Sequence, residues 1–227
     1  MERHFVRELD ELRERLLWMG SLAERAVQQS VQAILEADER LARNVIEQEG
    51  AVNEMQIEID DRVLHLLALQ QLMAADLRLV LAVARINADL ERIGDQAVNI
   101  AESAQRIMRH PRVKPYVDLP RMGQLAQDMV RDSLTSVVNK DVELARRVLA
   151  RDDQVDSLRD QVFRELLTYM MENSSLVFPA FELILVAKNL ERVADHATNI
   201  AEDVIYMVAG RDVRHHGATP AAAPEPR

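Results

Sequence analysis

The chain has 227 residues with a net charge of −10, no cysteine, and apolar side chains at 48% of positions. That apolar content builds one large buried core or two modest ones, while the acidity argues against non-specific nucleic-acid binding, which needs clustered Lys and Arg. The lack of cysteine rules out disulfides and thiolate-held metals, and the few aromatics (4%) and six glycines suit helix better than sheet.

Residues 1–8 have no apolar signal core and no stretch approaches the roughly 18 apolar residues of a membrane span, so a soluble cytoplasmic protein is expected. Phe5, Leu9, Leu12, Leu16, Met19 and Ala23 recur at steps of three and four, which predicts a long amphipathic helix to about residue 35. Asp38 reads as an N-cap. A second helix follows, apolar at Leu41, Val45, Val52, Met55, Ile59, Val63, Leu66 and Leu67. A turn at residues 70–73 leads past Asp76 into a third. Three prolines within residues 110–120 end the helical pattern and mark a linker.

The second half repeats the first. VRDSLTSVVNKDVELA (residues 130–145) aligns with VQQSVQAILEADERLA (residues 27–42), placing Asp141 on the cap Asp38. A helix over 142–172, a turn at 173–175 and a last helix with Pro179 in its first turn complete the pattern. Gly210 is a natural C-terminal stop. Residues 211–227, with His215, His216 and three prolines, are expected to be disordered. The fold class is therefore all-α, with six long helices in two tandem, similar three-helix bundles. The first bundle spans 1–109, the linker 110–120 and the second bundle 121–210.

The strongest sign of duplication is LERIGDQAVNIAE (residues 90–102) against LERVADHATNIAE (residues 190–202). Nine of thirteen positions are identical at a constant offset of 100. Ile86, Leu90, Ile93, Ala97, Ile100, Ala104 and Ile107 form an apolar seam, and Val186 to Met207 form its copy. Glu91, Asp95 and Glu102 fall within about 40° of one another on another face. Adjacent acids at i, i+4 destabilise a helix by a few tenths of a kcal/mol, yet Glu91/Asp95 recurs as Glu191/Asp195. On the preceding helix, Asp152 and Asp156 share this spacing, and the repeat places Glu49 and Asn53 at the same positions. If these helices face each other, each half presents four oxygen-bearing side chains on one patch. Hard divalent cations and iron favour such a set. A solvated acidic face, with Arg92 and Arg192 pairing to the Asp three residues on, stands open beside that reading. On charge alone, the second half, with four carboxylates against three, is the stronger candidate.

Other chemistry is absent. No Glu precedes a His by three residues, which excludes a ferritin-like di-iron site, and there is neither a Gly-rich phosphate loop nor a Gly-x-Ser-x-Gly elbow. His196 stands where the first copy has Gln96 and reads as a surface or partner-contact residue. His65 reads as a boundary residue, and His215 and His216 as adventitious metal binders. The methionines and Trp18 read as core or interface.

DLERIGDQAVNIAE (residues 89–102), NLERVADHATNIAED (residues 189–203) and QLMAADLR (residues 71–78) resemble the paired signatures of the PhoU family, regulators of bacterial phosphate uptake and phosphate signalling. The resemblance spans roughly residues 3–210. It implies two three-helix bundles and a Glu/Asp-x-x-x-Asp metal motif, matched by Glu91/Asp95, Asp152/Asp156 and Glu191/Asp195 and departed from at Glu49/Asn53. It also implies a divalent metal ion or metal cluster (Fe, Zn, Mn or Mg), a homodimer and no enzymatic activity. The implied role is to link the ATPase subunit of a phosphate ABC transporter to a membrane sensor histidine kinase, repressing the phosphate-starvation response when phosphate is plentiful. A metal-dependent hydrolase and a purely structural helical scaffold are the alternatives.

Overall fold

The structure, a computed structural model, describes residues 2–69, 71–114, 116–210 and 213. Among these there are helices and no strands. They are α1 (Glu2–Glu36), α2 (Glu39–Glu47), α3 (Glu49–Leu69), α4 (Ala74–Ile107), α5 (Asp118–Asn139), α6 (Val142–Leu149), α7 (Asp152–Glu172), a 3-10 turn (Ser174–Leu176) and α8 (Val177–Ala209). The α2–α3 and α6–α7 pairs each continue as one bent rod, so six rods fill the two halves. The disorder expected of the tail concerns residues outside the described set, Val213 apart.

The caps form as their chemistry requires. Asp38 accepts hydrogen bonds from the amides of Arg40 (2.8 Å) and Leu41 (3.4 Å), and Asp141 accepts one from Leu144 (2.9 Å). Gly210 closes α8 with φ 65°. Two element bounds differ from the sequence reading. The linker is shorter, because α5 begins at Asp118 and takes Pro120 into its first turn, where a missing N–H breaks no hydrogen bond. The second rod is interrupted in both halves, and at equivalent places. The amide of Ala51 bonds to the carbonyl of Gln48, and that of Gln154 to Arg151, each spanning three residues instead of four. Such tightened turns redirect a helix without a proline.

All seven seam positions of α4, Ile86 to Ile107, are buried, as are the seven of α8, Val186 to Met207. Each such large aliphatic side chain contributes about 1.5–3 kcal/mol. The seams close each bundle and also join the two. α4 and α8 pack against each other, and the buried residues form a single core. Arg85 to Asp203, Asp89 to Asn199 and Arg106 to Glu182 bridge the pair in one antiparallel register. The segment between the halves is also held. Val113 is buried, and Lys114 pairs with Glu165 of α7.

The outer contact between halves, α1 against α5, shows the duplication as a reciprocal pair. A Cβ on Gly20 would stand 2.7 Å from Leu134 Cδ1, and one on Gly123 would stand 2.9 Å from Val31 Cγ1. Gly20 and Gly123 occupy equivalent repeat positions, as do Val31 and Leu134. Trp18, read from sequence as core or interface, is 53% exposed, and Arg25 lies over its ring.

These contacts set a prediction. Replacing a mid-helix glycine by alanine gains about 1 kcal/mol of helix propensity, but the added methyl must fit. The Leu134 side-chain tip can rotate away, whereas Val31 is stiff at χ1. Gly20→Ala should therefore leave the melting temperature near wild type, while Gly123→Ala lowers it by several degrees. Equal effects would show that rotamer stiffness does not govern this contact.

Candidate functional site

The interrupted second rod carries the acids to where they meet the central helices. Glu49 opens α3 and Asp152 opens α7, each in a first turn whose free amides favour a carboxylate. In the first half, Glu49, Asn53, Glu91 and Asp95 line one small pocket floored by Val52, Gly94 and Val98. Gly94 lets α3 approach closely, since a Cβ there would stand 3.3 Å from Val52. The enclosed space is about 10 Å³, enough for one water-sized or ion-sized occupant.

In the second half the acids again act on one another. Burial pushes the Asp152 carboxyl up, helped by the Asp156, Asp153 and Glu191 carboxylates and opposed by Arg159. Asp195 is pushed up to about 6, first by burial and then by Glu191, Asp152 and Asp156. Its residue surface is exposed. Burial also raises Glu91 and Asp95 in the first half, with the Asp95 carboxylate the next cause at Glu91.

The sequence-predicted residues are thus brought together in pairs of helices, as the facing-helix reading requires. They do not converge on a point: among the described residues, no group of three or more His, Asp or Glu side chains is arranged to hold a metal ion. The donor set is hard oxygen throughout, which suits a divalent cation. Nor is the acidic face turned freely to water. Glu91 and Asp95 are half-buried beneath α3, because the rod that carries Glu49 lies across them.

Five residues were misjudged or missed. Arg159 donates to Glu191 (2.7 Å) and lies 3.1 Å from Asp156, bridging α7 and α8 inside the second cluster. Its repeat equivalent is Gln56. The first cluster carries three acids (Glu49, Glu91, Asp95) and the second four, with the Arg159 guanidinium shared among Glu191, Asp156 and Asp160. Arg159 thus offsets part of the greater charge of the second half. Periodicity could have shown Arg159 one turn beyond Asp156, but not its reach to another helix. His196 is no surface residue. It is largely buried, with Nδ1 2.9 Å from Asp89 Oδ1, which also accepts from Asn199 at 3.1 Å. His65, by contrast, is exposed, 4.0 Å from Glu8. Arg92 and Arg192 are exposed, and among the described residues neither forms an ion pair with the Asp three positions on.

The same architecture and sequence recur in known proteins. The profile of the PhoU domain matches twice, over residues 16–104 and 119–204. The chain belongs to the PhoU family. It is 39% identical to the phosphate-specific transport system accessory protein PhoU homolog of Pseudomonas putida, over 96% of this chain and 85% of that one. The crystal structure of PhoU from Pseudomonas aeruginosa superposes with a TM-score of 0.88 at 38% identity, covering 91% of this chain and all of that one. The phosphate transport system regulatory protein PhoU from Streptococcus pneumoniae gives 0.84 at 27% identity, covering 92% of this chain and 99% of that one. The family resemblance carried by the two motifs is therefore established, as is the all-α duplicated fold.

The raised carboxyls predict a pH-dependent cost. A carboxyl more acidic in the unfolded chain than in the fold opposes folding once the unfolded state ionises, so the penalty is absent below about pH 4 and complete above about 6. In chelator, Asp195→Asn should match wild type in thermal stability at pH 4 and melt higher at pH 7.5. A constant difference across that range would show that Asp195 is not held up by its neighbours.

Proposed function

We propose that this chain is a cytoplasmic, non-enzymatic regulator of phosphate uptake. It links the ATPase subunit of a phosphate ABC transporter to a membrane sensor histidine kinase and represses the phosphate-starvation response when phosphate is plentiful. The observation that carries this reading is the double domain match together with near full-length similarity to accessory proteins of phosphate-specific transport systems. Among the described residues no helix is long and apolar enough to cross a membrane, so membrane association in this reading runs through the partners. Phe163, Leu167 and Met171 form an exposed apolar stripe along α7, with Met171 88% exposed, and support a homodimer or a partner-docking face.

Within this reading a divalent cation is held in the first half by Glu49, Asn53, Glu91 and Asp95. It would offset the burial that raises the Glu91 and Asp95 carboxyls and the Asp95 charge that adds to it at Glu91. The corresponding second-half residues are Asp152, Asp156, Glu191 and Asp195, where Arg159 already supplies a positive charge.

Deleting the gene in its host, with no paralogue present, should leave phosphate-starvation genes switched on in high phosphate. Normal repression in that strain would overturn the regulatory reading. The metal assignment is tested by thermal melting in chelator and in Mn²⁺, Zn²⁺, Mg²⁺ or Fe²⁺. A site binding its ion at a hundredfold excess over Kd adds about 2.7 kcal/mol. Asp95→Asn should reduce the metal-dependent rise at least as much as Asp195→Asn, and Arg159→Gln should enlarge it. If no metal raises the wild-type melting temperature, the acids are solvated surface.

A further inference from the structure

The duplication breaks down at one junction between the halves. There a cleft of about 220 Å³ is lined by Arg13 of α1, Asp76 and Arg78 of the first turns of α4, Lys140 after α5, and Met207 and Val208 at the end of α8. Three cations from three separate elements converge on it, against one lining carboxylate, in a chain whose net charge is −10. Arg78 donates through Nε to the carbonyl of Met207 (3.5 Å), which holds its guanidinium over the negative end of α8. Among the described residues, no other hydrogen bond engages the remaining N–H groups of that planar fork, which can serve an incoming acceptor. Lys140 sits in the left-handed backbone region at φ 53°, ending α5, and forms no ion pair among the described residues. Arg13 lies 3.5 Å from Asp10 in an exposed pair, worth little in water.

The equivalent positions at the opposite junction form a natural comparison. Repeat alignment places Phe178 where Arg78 stands and Ala37 where Lys140 stands. Ala37 has the same φ of 53°, so the backbone is retained and the charge is not. Phe178 packs against His110 with ring centroids 4.8 Å apart. One end of the molecule closes with rings, while the other keeps a cation-lined cleft.

We propose that this cleft binds a small tetrahedral oxyanion, with inorganic phosphate the ligand it fits. Arginine forks and lysine ammonium groups form charge-assisted hydrogen bonds to phosphate oxygens. The volume is below that of most pockets for drug-sized ligands, which favours the free anion over a nucleotide carrying the same group. The proposal does not rest on the regulatory reading. A protein that binds phosphate here but represses nothing would keep this inference and lose that one.

The test is calorimetric titration of the full chain with inorganic phosphate and, separately, with adenosine triphosphate, at constant ionic strength in chelator. Arg13→Gln and Lys140→Asn are the informative variants, since asparagine tolerates the left-handed conformation. Arg112→Gln, at the opposite junction, is the control for lost charge. Melting without ligand verifies that each variant folds. Phosphate should bind wild type and the control alike, and each variant should weaken it about tenfold, the size of one charge-assisted hydrogen bond. Tighter binding of the nucleotide than of phosphate, binding of neither, or phosphate binding that the two variants retain would overturn the proposal.

Discussion

The antiparallel packing of α4 on α8 is the constraint on which the rest of this molecule depends. These two helices carry the duplicated motif, and each buries its apolar seam against both its own half and the other. Between them run partly buried polar bridges. Asp203 and Glu182 are buried and held by Arg85 and Arg106, and Asp89 gathers His196 and Asn199. A buried carboxylate stripped of its partner is costly, so the bridges disfavour any slide of one helix along the other. They contribute register more than net stability, and that register decides which outer rods meet which acids.

The outer rods then complete the candidate site. A continuous second helix would carry Glu49 and Asp152 in mid-helix. The tightened turns at Gln48 and Arg151 make them first-turn residues, and α3 and α7 press them onto the Glu91/Asp95 and Glu191/Asp195 faces. Acids so placed are partly desolvated and repelled by their neighbours, which is why the Glu91, Asp152 and Asp195 carboxyls rise. The two halves relieve that repulsion differently. The first replaces one acid by Asn53, and the second keeps Asp156 but adds Arg159. The two routes leave the clusters different in what an incoming cation must displace.

Some differences between the copies fall where the halves touch. Asp89 faces His196, while the equivalent positions hold Asn189 and Gln96. Gln96 is buried with its Oε1 unpartnered among the described residues, whereas its equivalent His196 is bonded. Two-fold packing makes each contact twice, i on j and j on i, and these substitutions give the two occurrences different chemistry.

Much of the fold was legible in the sequence because it follows from local chemistry. The 3.6-residue seams, the Asp38 and Asp141 caps, the Gly210 stop and the offset repeat each depend on residues within a turn or two of one another, or on comparison of the chain with itself. The i, i+4 acids were legible for the same reason. What sequence reading lacked was every relation between helices. It could not show that α4 and α8 share one core, that His196 turns inward to Asp89, that Arg159 reaches Glu191, or that Gly20 and Gly123 receive Leu134 and Val31. Periodicity assigns a face to a residue but leaves the rotation and axial offset of the opposing helix undefined. Those two quantities are set by packing of side chains far apart in the chain, and only the tertiary structure decided them.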